Sequence, residues 1–367
     1  MSWLGETDDY NKEDSLGEFN NDRYIEDLSE DNMDLNTNNN FIEEESEYAN
    51  KDIKLKVPLP VILFLIAIIA ISVFSMIRFP STLQDYKIYK NAKERIKNGE
   101  TSQTLNDLHT LVEKYPDSLP IVIRTIEQCM ENGYYDNAGY LHNTYMVGKS
   151  ISDSEYEWVN KYLSWLDDYY NTLDQIEIIF NQLSEDDATE EELDYAEIEN
   201  KLKDLLYKED TSNAVVYYYL ALVTDSTKQA IEYLEECYEA DPECFDVRVR
   251  LAIMYRRVGD FEKARKFTDE ALGKDKIDSG ALRSLAILHM LEQNMEEALK
   301  VAEEAYNNYS DGEYIRETYL IALHFNDLIE EAQVIKNEII ELQGQLEEET
   351  QKLLEGEITL EEYYVEG

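Results

Sequence analysis

The sequence predicts an all-α protein: an α-solenoid of packed helix pairs, preceded by one transmembrane helix and a disordered acidic N-terminal tail. Three observations carry this reading. Structure breakers are scarce, with 13 glycines and 6 prolines in 367 residues, which favours helices over sheets with many turns. Residues 57–77, VPLPVILFLIAIIAISVFSMI, hold no charged side chain. Alanines at 230, 264, 298 and 332 recur at a fixed interval of 34 residues.

The first element is the tail, residues 1–52. Its first 50 residues carry 16 Asp and Glu against only Lys12 and Arg23. So little apolar surface cannot offset the entropy of ordering, so the tail is expected to be disordered. Trp3-Leu4, Tyr24-Ile25 and Phe41-Ile42 interrupt it as candidate docking motifs.

The second element, 53–79, is the expected transmembrane helix with its basic flank. About 20 apolar residues span a hydrocarbon core of roughly 30 Å. Twelve of the 17 residues from Val61 to Ile77 are Val, Ile, Leu or Phe, favouring insertion by about 4–7 kcal/mol. Pro58 and Pro60 suit the first turn, where an N–H is dispensable, and Pro80 is expected to mark the far end. A cleaved signal peptide fits poorly, because the run lies some sixty residues in, behind an acidic region. The compact cluster Lys51, Lys54 and Lys56 favours a cytoplasmic tail and an extracytoplasmic helical domain.

The repeats follow. Other columns keep the register of the alanines: Tyr217, Leu251, Leu285 and Tyr319; Thr227, Phe261, Met295 and Ile329; Cys237, Ala271, Ala305 and Ile339. A unit of 34 residues holding two helices is the signature of a repeat array. Small residues mark where antiparallel helices approach, and a larger side chain there would force them apart.

Residues 211–340 resemble the tetratricopeptide repeat family. The clearest copy, 245–278, contains LAIMYRRVGDFEKARKFTDEAL, in which Leu251, Ala252, Tyr255, Gly259, Phe261, Ala264 and Ala271 match framework positions. Pro242 matches the proline that closes the preceding copy. His289 departs from the usual aromatic, and Tyr218 and Leu320 replace a small residue. The resemblance implies a right-handed solenoid whose concave groove is lined by Tyr219, Leu222, Val249, Ile253, Arg256, Arg257, Arg283, Ile287, Met290, Ile321 and His324. It also implies a protein or peptide partner held in that groove.

Upstream, 80–210 is expected to hold one or two degenerate units. GYYDNA at 133–138 has the turn-and-alanine form, placing a unit at 119–152, and Pro116 sits where a still earlier unit closes. Residues 153–210 are aromatic-rich and off pattern. At the other end, 341–367 is expected as a capping helix and tail: Glu330–Leu354 as one long helix, Gly356 breaking it, and ITLEEYY as a polar cap.

Charge narrows the partner. A net charge of −47 repels phosphates, which excludes non-specific nucleic-acid binding. Yet from Phe245 to Arg283 there are ten Lys and Arg against seven Asp and Glu. Either these cations bind an acidic peptide with an apolar anchor, or they pair with acidic neighbours in the chain. Catalytic and cofactor signatures are missing. Gly148-Lys149-Ser150 lacks the glycine at 143 that a phosphate loop needs, the four histidines show no metal-ligand spacing, and Cys129, Cys237 and Cys244 form neither a disulfide framework nor a CxxC site. No cofactor is expected. The sequence therefore favours a membrane-anchored scaffold, not an enzyme; a self-associating envelope protein is the alternative.

Overall fold

The computed structural model describes residues 59–183 and 194–365, the side chains of Leu59, 70, 71, 73–81, 153–156 and 313 excepted. The expected tail and its docking motifs lie outside these residues. The chain divides at Leu83 into two units. Among the described residues the structure is helical, apart from one isolated bridge between Glu100 and Asp275.

Helix α1 spans Leu59–Lys97. It runs through Pro80, contrary to the expected stop: a proline inside a helix removes one hydrogen bond and tends to kink the helix, without forcing an end. Every residue from Pro60 to Ile69 is exposed. Among the described residues no helix is long and apolar enough to cross a membrane; the expected span at 57–77 falls partly on positions 57–59, 70, 71 and 73–77, whose side chains are outside the description.

From Leu83 onward helices pair. The end of α1 precedes α2 (Thr101–Lys114), and α3 (Leu119–Glu131) packs on α4 (Tyr135–Leu141), which ends in a π turn at His142–Met146. The long α5 (Asp153–Leu183) and α6 (Tyr195–Lys203) break the register. Four regular pairs follow: α7 (Asn213–Val223) with α8 (Thr227–Ala240), α9 (Val247–Arg257) with α10 (Phe261–Lys274), α11 (Ser279–Leu291) with α12 (Met295–Asn308), and α13 (Glu313–Phe325) with α14 (Ile329–Gln343).

The second helices of these pairs begin at 227, 261, 295 and 329, so the sequence period is the structural one. Ala230, Ala264, Ala298 and Ala332 are all buried, the middle two completely, where paired helices approach. Sequence-local caps start several helices: Ser226, Asp260 and Asp278 accept from the backbone N–H groups of Gln229, Lys263 and Ala281. Asp260 follows Gly259, and the equivalents of Gly259 one and two periods on, Gln293 and Asp327, also have positive φ.

The expected long helix Glu330–Leu354 is not continuous. Gly344 takes a left-handed conformation (φ 84°) and ends α14. Two short helices follow, α15 (Glu348–Leu354) and α16 (Leu360–Tyr364).

The N-terminal pairs dock on the connections between later ones. The Lys276 N–H donates to the Gly99 carbonyl (3.0 Å), and the Thr101 hydroxyl donates to the Lys274 carbonyl (2.5 Å). The Tyr135 hydroxyl donates to Asp241 (2.5 Å). Tyr135 also stacks within an aromatic cluster, with ring centroids 3.9 Å from Trp165 and 5.3 Å from Tyr169. Gly133 sits so tightly here that a Cβ would lie 2.2 Å from the Glu243 carbonyl oxygen.

Candidate protein-binding groove

The first helices α7, α9, α11 and α13 carry the eleven groove residues expected from sequence. None of them is exposed. The sequence implies an apolar groove with guanidinium groups; in the structure the chain itself covers that groove from both ends.

At the N-terminal end α5 lies against α7. Tyr219 meets Phe180 edge-on at 6.5 Å and Phe245 at 6.2 Å, and Leu222 joins the same apolar cluster. Val249 is buried beneath Gly280, where a Cβ would approach it to 2.8 Å, and Ile253 packs beside it.

At the C-terminal end the occupant is α16. Tyr364 is buried in a cluster with Leu282, Ala286, Ile287, Met290, Ile321 and Leu353. Arg256, only 3% exposed, donates from Nη1 to the Tyr364 carbonyl oxygen (2.6 Å), and its guanidinium lies 5.2 Å from the Tyr364 ring centroid. Burial pushes the Tyr364 hydroxyl well above its ordinary pKa, with Glu317 raising it and Arg283 and Arg256 opposing. Tyr363 is held from the side: its hydroxyl bonds Thr350 Oγ1 (2.8 Å), which in turn donates to Glu317. The segment organises itself through a capping box, with the Glu362 N–H donating to Thr359 Oγ1 (3.1 Å) and the Thr359 N–H donating to Glu362 Oε2 (2.8 Å). ITLEEYY is therefore no polar cap on the last unit; its tyrosines enter the groove.

The remaining groove residues are half-buried. Arg283 donates from Nε to Thr318 Oγ1 (3.1 Å) and lies 5.1 Å from the Tyr314 ring. Arg257 is not without a partner. His324 stands edge-on to Phe325 at 5.4 Å. Other basic residues of the local cluster pair within the chain: Arg248 with Glu243 (2.9 Å), Arg250 with Asp246 (3.3 Å) and Arg265 with Glu292 (2.8 Å). The surplus of cations from 245 to 283 thus serves internal pairing to a large extent.

Sequence reasoning missed the occupant. The signal was present: EGEITLEEYYVEG at 355–367 is acidic and carries apolar anchors, the composition expected of the ligand. Its reading as a cap hid it.

Among the described residues no group of three or more His, Cys, Asp and Glu is arranged to hold a metal ion. All three cysteines are buried free thiols, and burial pushes Cys129 up to about 12, so they are poor nucleophiles at neutral pH.

Residues 225–285, covering α8, α9, α10 and the start of α11, match the tetratricopeptide repeat family. This segment is a tetratricopeptide repeat. Similar solved structures include MamA AMB-1, with 15% identity over 51% of this chain and 97% of that one and a TM-score of 0.34. Yeast Tom70 is similar at 14% identity over 71% and 69% of the two chains, TM-score 0.31. The tetratricopeptide domain of P58(IPK) is similar at 15% identity over 71% and 84%, TM-score 0.25.

Proposed function

We propose that this tetratricopeptide repeat protein is a membrane-anchored scaffold that binds a protein segment in the groove formed by α9, α11 and α13. The observation that carries the reading is the seat of Tyr364: a groove that already accepts a helix-end carbonyl on Arg256 and an aromatic ring among Leu282, Ile287, Met290 and Ile321 has the chemistry of a peptide site. Extra helices at both ends of the array give it a defined length, and its separate pairs behave as a scaffold of nearest-neighbour units.

The anchor is the apolar run at 57–77. Its support is compositional, joined to the exposure of Val61, Ile62, Leu63, Phe64, Leu65, Ile66, Ile68 and Ile69 on α1. Nine consecutive residues make two and a half turns, so this part of the helix is apolar around its whole circumference. Left in water, each large side chain forgoes about 1.5–3 kcal/mol of burial; lipid removes that cost. The tail is assigned to the cytoplasm and the repeats to the other side, from the basic cluster before the run.

The test is a fractionation of cells making the full chain or a chain without residues 1–80. The full chain is expected in the membrane fraction after an alkaline carbonate wash, and the shortened one in solution with unchanged helicity. A shortened chain that still sediments with membranes rejects the single anchor. Reporter cysteines at Ser15 and Ser310, labelled from outside intact cells, decide the orientation: labelling at Ser310→Cys alone fits the assignment, and labelling at Ser15→Cys alone reverses it. The buried native thiols keep the background low.

A further inference from the structure

We propose that residues 357–365 are a displaceable internal ligand, and that the groove is selective for a partner segment carrying two adjacent aromatic residues. This rests on the scaffold reading and specifies its ligand. Three observations support it.

First, the contacts that hold α16 are of a kind another chain can reproduce. They comprise one backbone carbonyl on Arg256, one ring against its guanidinium, and a second tyrosine hydroxyl on Thr350. Second, the fit is imperfect. The Tyr364 hydroxyl is buried beside Thr318 and the charges of Arg283 and Glu317, yet among the described residues no group, Thr318 included, meets it in strict hydrogen-bonding geometry. A buried hydroxyl left in that state weakens the internal complex, so a partner that satisfies it, or lacks it, binds better. Third, the segment is a separable piece. It is capped by its own Thr359 and Glu362, its Glu361 and Glu362 side chains face solvent, and it joins α15 through Gly356 in a left-handed conformation (φ 76°).

Tethering explains why a weak fit suffices. A short flexible link holds its ligand at an effective concentration near millimolar. A free segment of the same sequence must compete with that, and is bound much more weakly than its contacts alone would allow.

The probe is a fluorescent peptide with the sequence of residues 355–367, titrated into the full chain in detergent. Three proteins are compared: wild type, Tyr363→Ala/Tyr364→Ala, and the latter with Ile287→Asp added. The double variant is expected to bind the peptide at least tenfold more tightly than wild type, with loss of that gain in the triple variant. A peptide with both tyrosines replaced by alanine is expected to bind none of them. Equal or absent binding to wild type and a folded double variant overturns the proposal. If the double variant loses helicity, hydrogen exchange on the wild-type chain decides: excess peptide must accelerate exchange at Leu360–Val365, and unchanged exchange there overturns it. A wild-type chain that is dimeric, with the dimer lost in the double variant, also overturns it, because the segment is then exchanged between copies. Failure of the peptide while wild type still captures a protein partner on the membrane removes this proposal and leaves the scaffold reading standing.

Discussion

Arg256 shows how a surface-facing column becomes interior. Its place on the groove predicted an exposed cation, yet it is 3% exposed and donates to the Tyr364 carbonyl. Arg256→Glu is therefore expected to destabilise the fold, by about 2–4 kcal/mol, because it loses a charged hydrogen bond and buries a carboxylate against an acceptor. Arg283→Glu, at a half-buried site, is expected to cost less than half as much; equilibrium urea unfolding of both separates them, and equal small losses would place α16 elsewhere. Ala264 and Ala298 give the opposite lesson, since both were read from spacing alone and both are fully buried. Ala264→Leu and Ala298→Leu are each expected to cost about 1–3 kcal/mol by overpacking, while Lys266→Leu on the exposed face costs little. Gln293 holds φ at 63°, a left-handed conformation that costs a side-chain-bearing residue about 1 kcal/mol. Gln293→Gly is expected to recover that amount, measured by the same unfolding curves.

At the scale of elements the array was legible because helix pairs repeat what local chemistry writes. The column Thr227, Phe261, Met295 and Ile329 falls on the first residue of four successive second helices. Less legible was the break at Gly344: Glu330–Leu354 is periodic throughout, and only the left-handed turn, fixed by how Leu346 and Leu353 bury themselves, reveals two helices. The place of α16 was not legible at all, since nothing in a capping-box sequence says which distant surface its tyrosines meet. The start of α11 has a measurable acid–base consequence. Asp278 caps it, and crowding by its surroundings, with Asp246 and Asp275 nearby, raises its carboxyl from 3.8 to about 6 although part of the residue still touches solvent. The unfolded carboxyl ionises first as pH rises, so the folded chain holds the extra proton between about pH 4 and about pH 6. The contribution of this group is thus full below that window and is lost as pH rises through it. Asp278→Asn keeps an acceptor for the Ala281 N–H and cannot ionise. Relative to wild type it is expected to gain about 1–3 kcal/mol between about pH 4 and about pH 7.5; parallel stability profiles would contradict this.

For the molecule from Leu83 onward, the decisive feature is its return on itself. Gly99, Thr101 and Tyr135 bond to Lys276, Lys274 and Asp241, partners more than a hundred residues away. Sequence periodicity reports neighbours within a unit and the next unit along; it carries no record of contacts this distant, which is why nothing in it shows where α3 and α4 dock. Gly133→Ala is expected to undo the docking, at about 2–4 kcal/mol, since it adds a left-handed strain and a clash with the Glu243 carbonyl. Faster proteolysis near residues 130–150, with α9 to α14 still protected, is the result to look for. The same feature sets an order of events during synthesis. The helices ending at Met146 leave the ribosome about 130 residues before the connection at 275–278 that receives them. At about 5–20 residues per second, that is a wait of roughly 7–26 s. During it the Gly99 carbonyl and the Thr101 hydroxyl have no partner yet made, Tyr135 has only Trp165 and Tyr169 of α5 to cover it, and a nascent chain arrested in that interval is expected to be the species that chaperones hold.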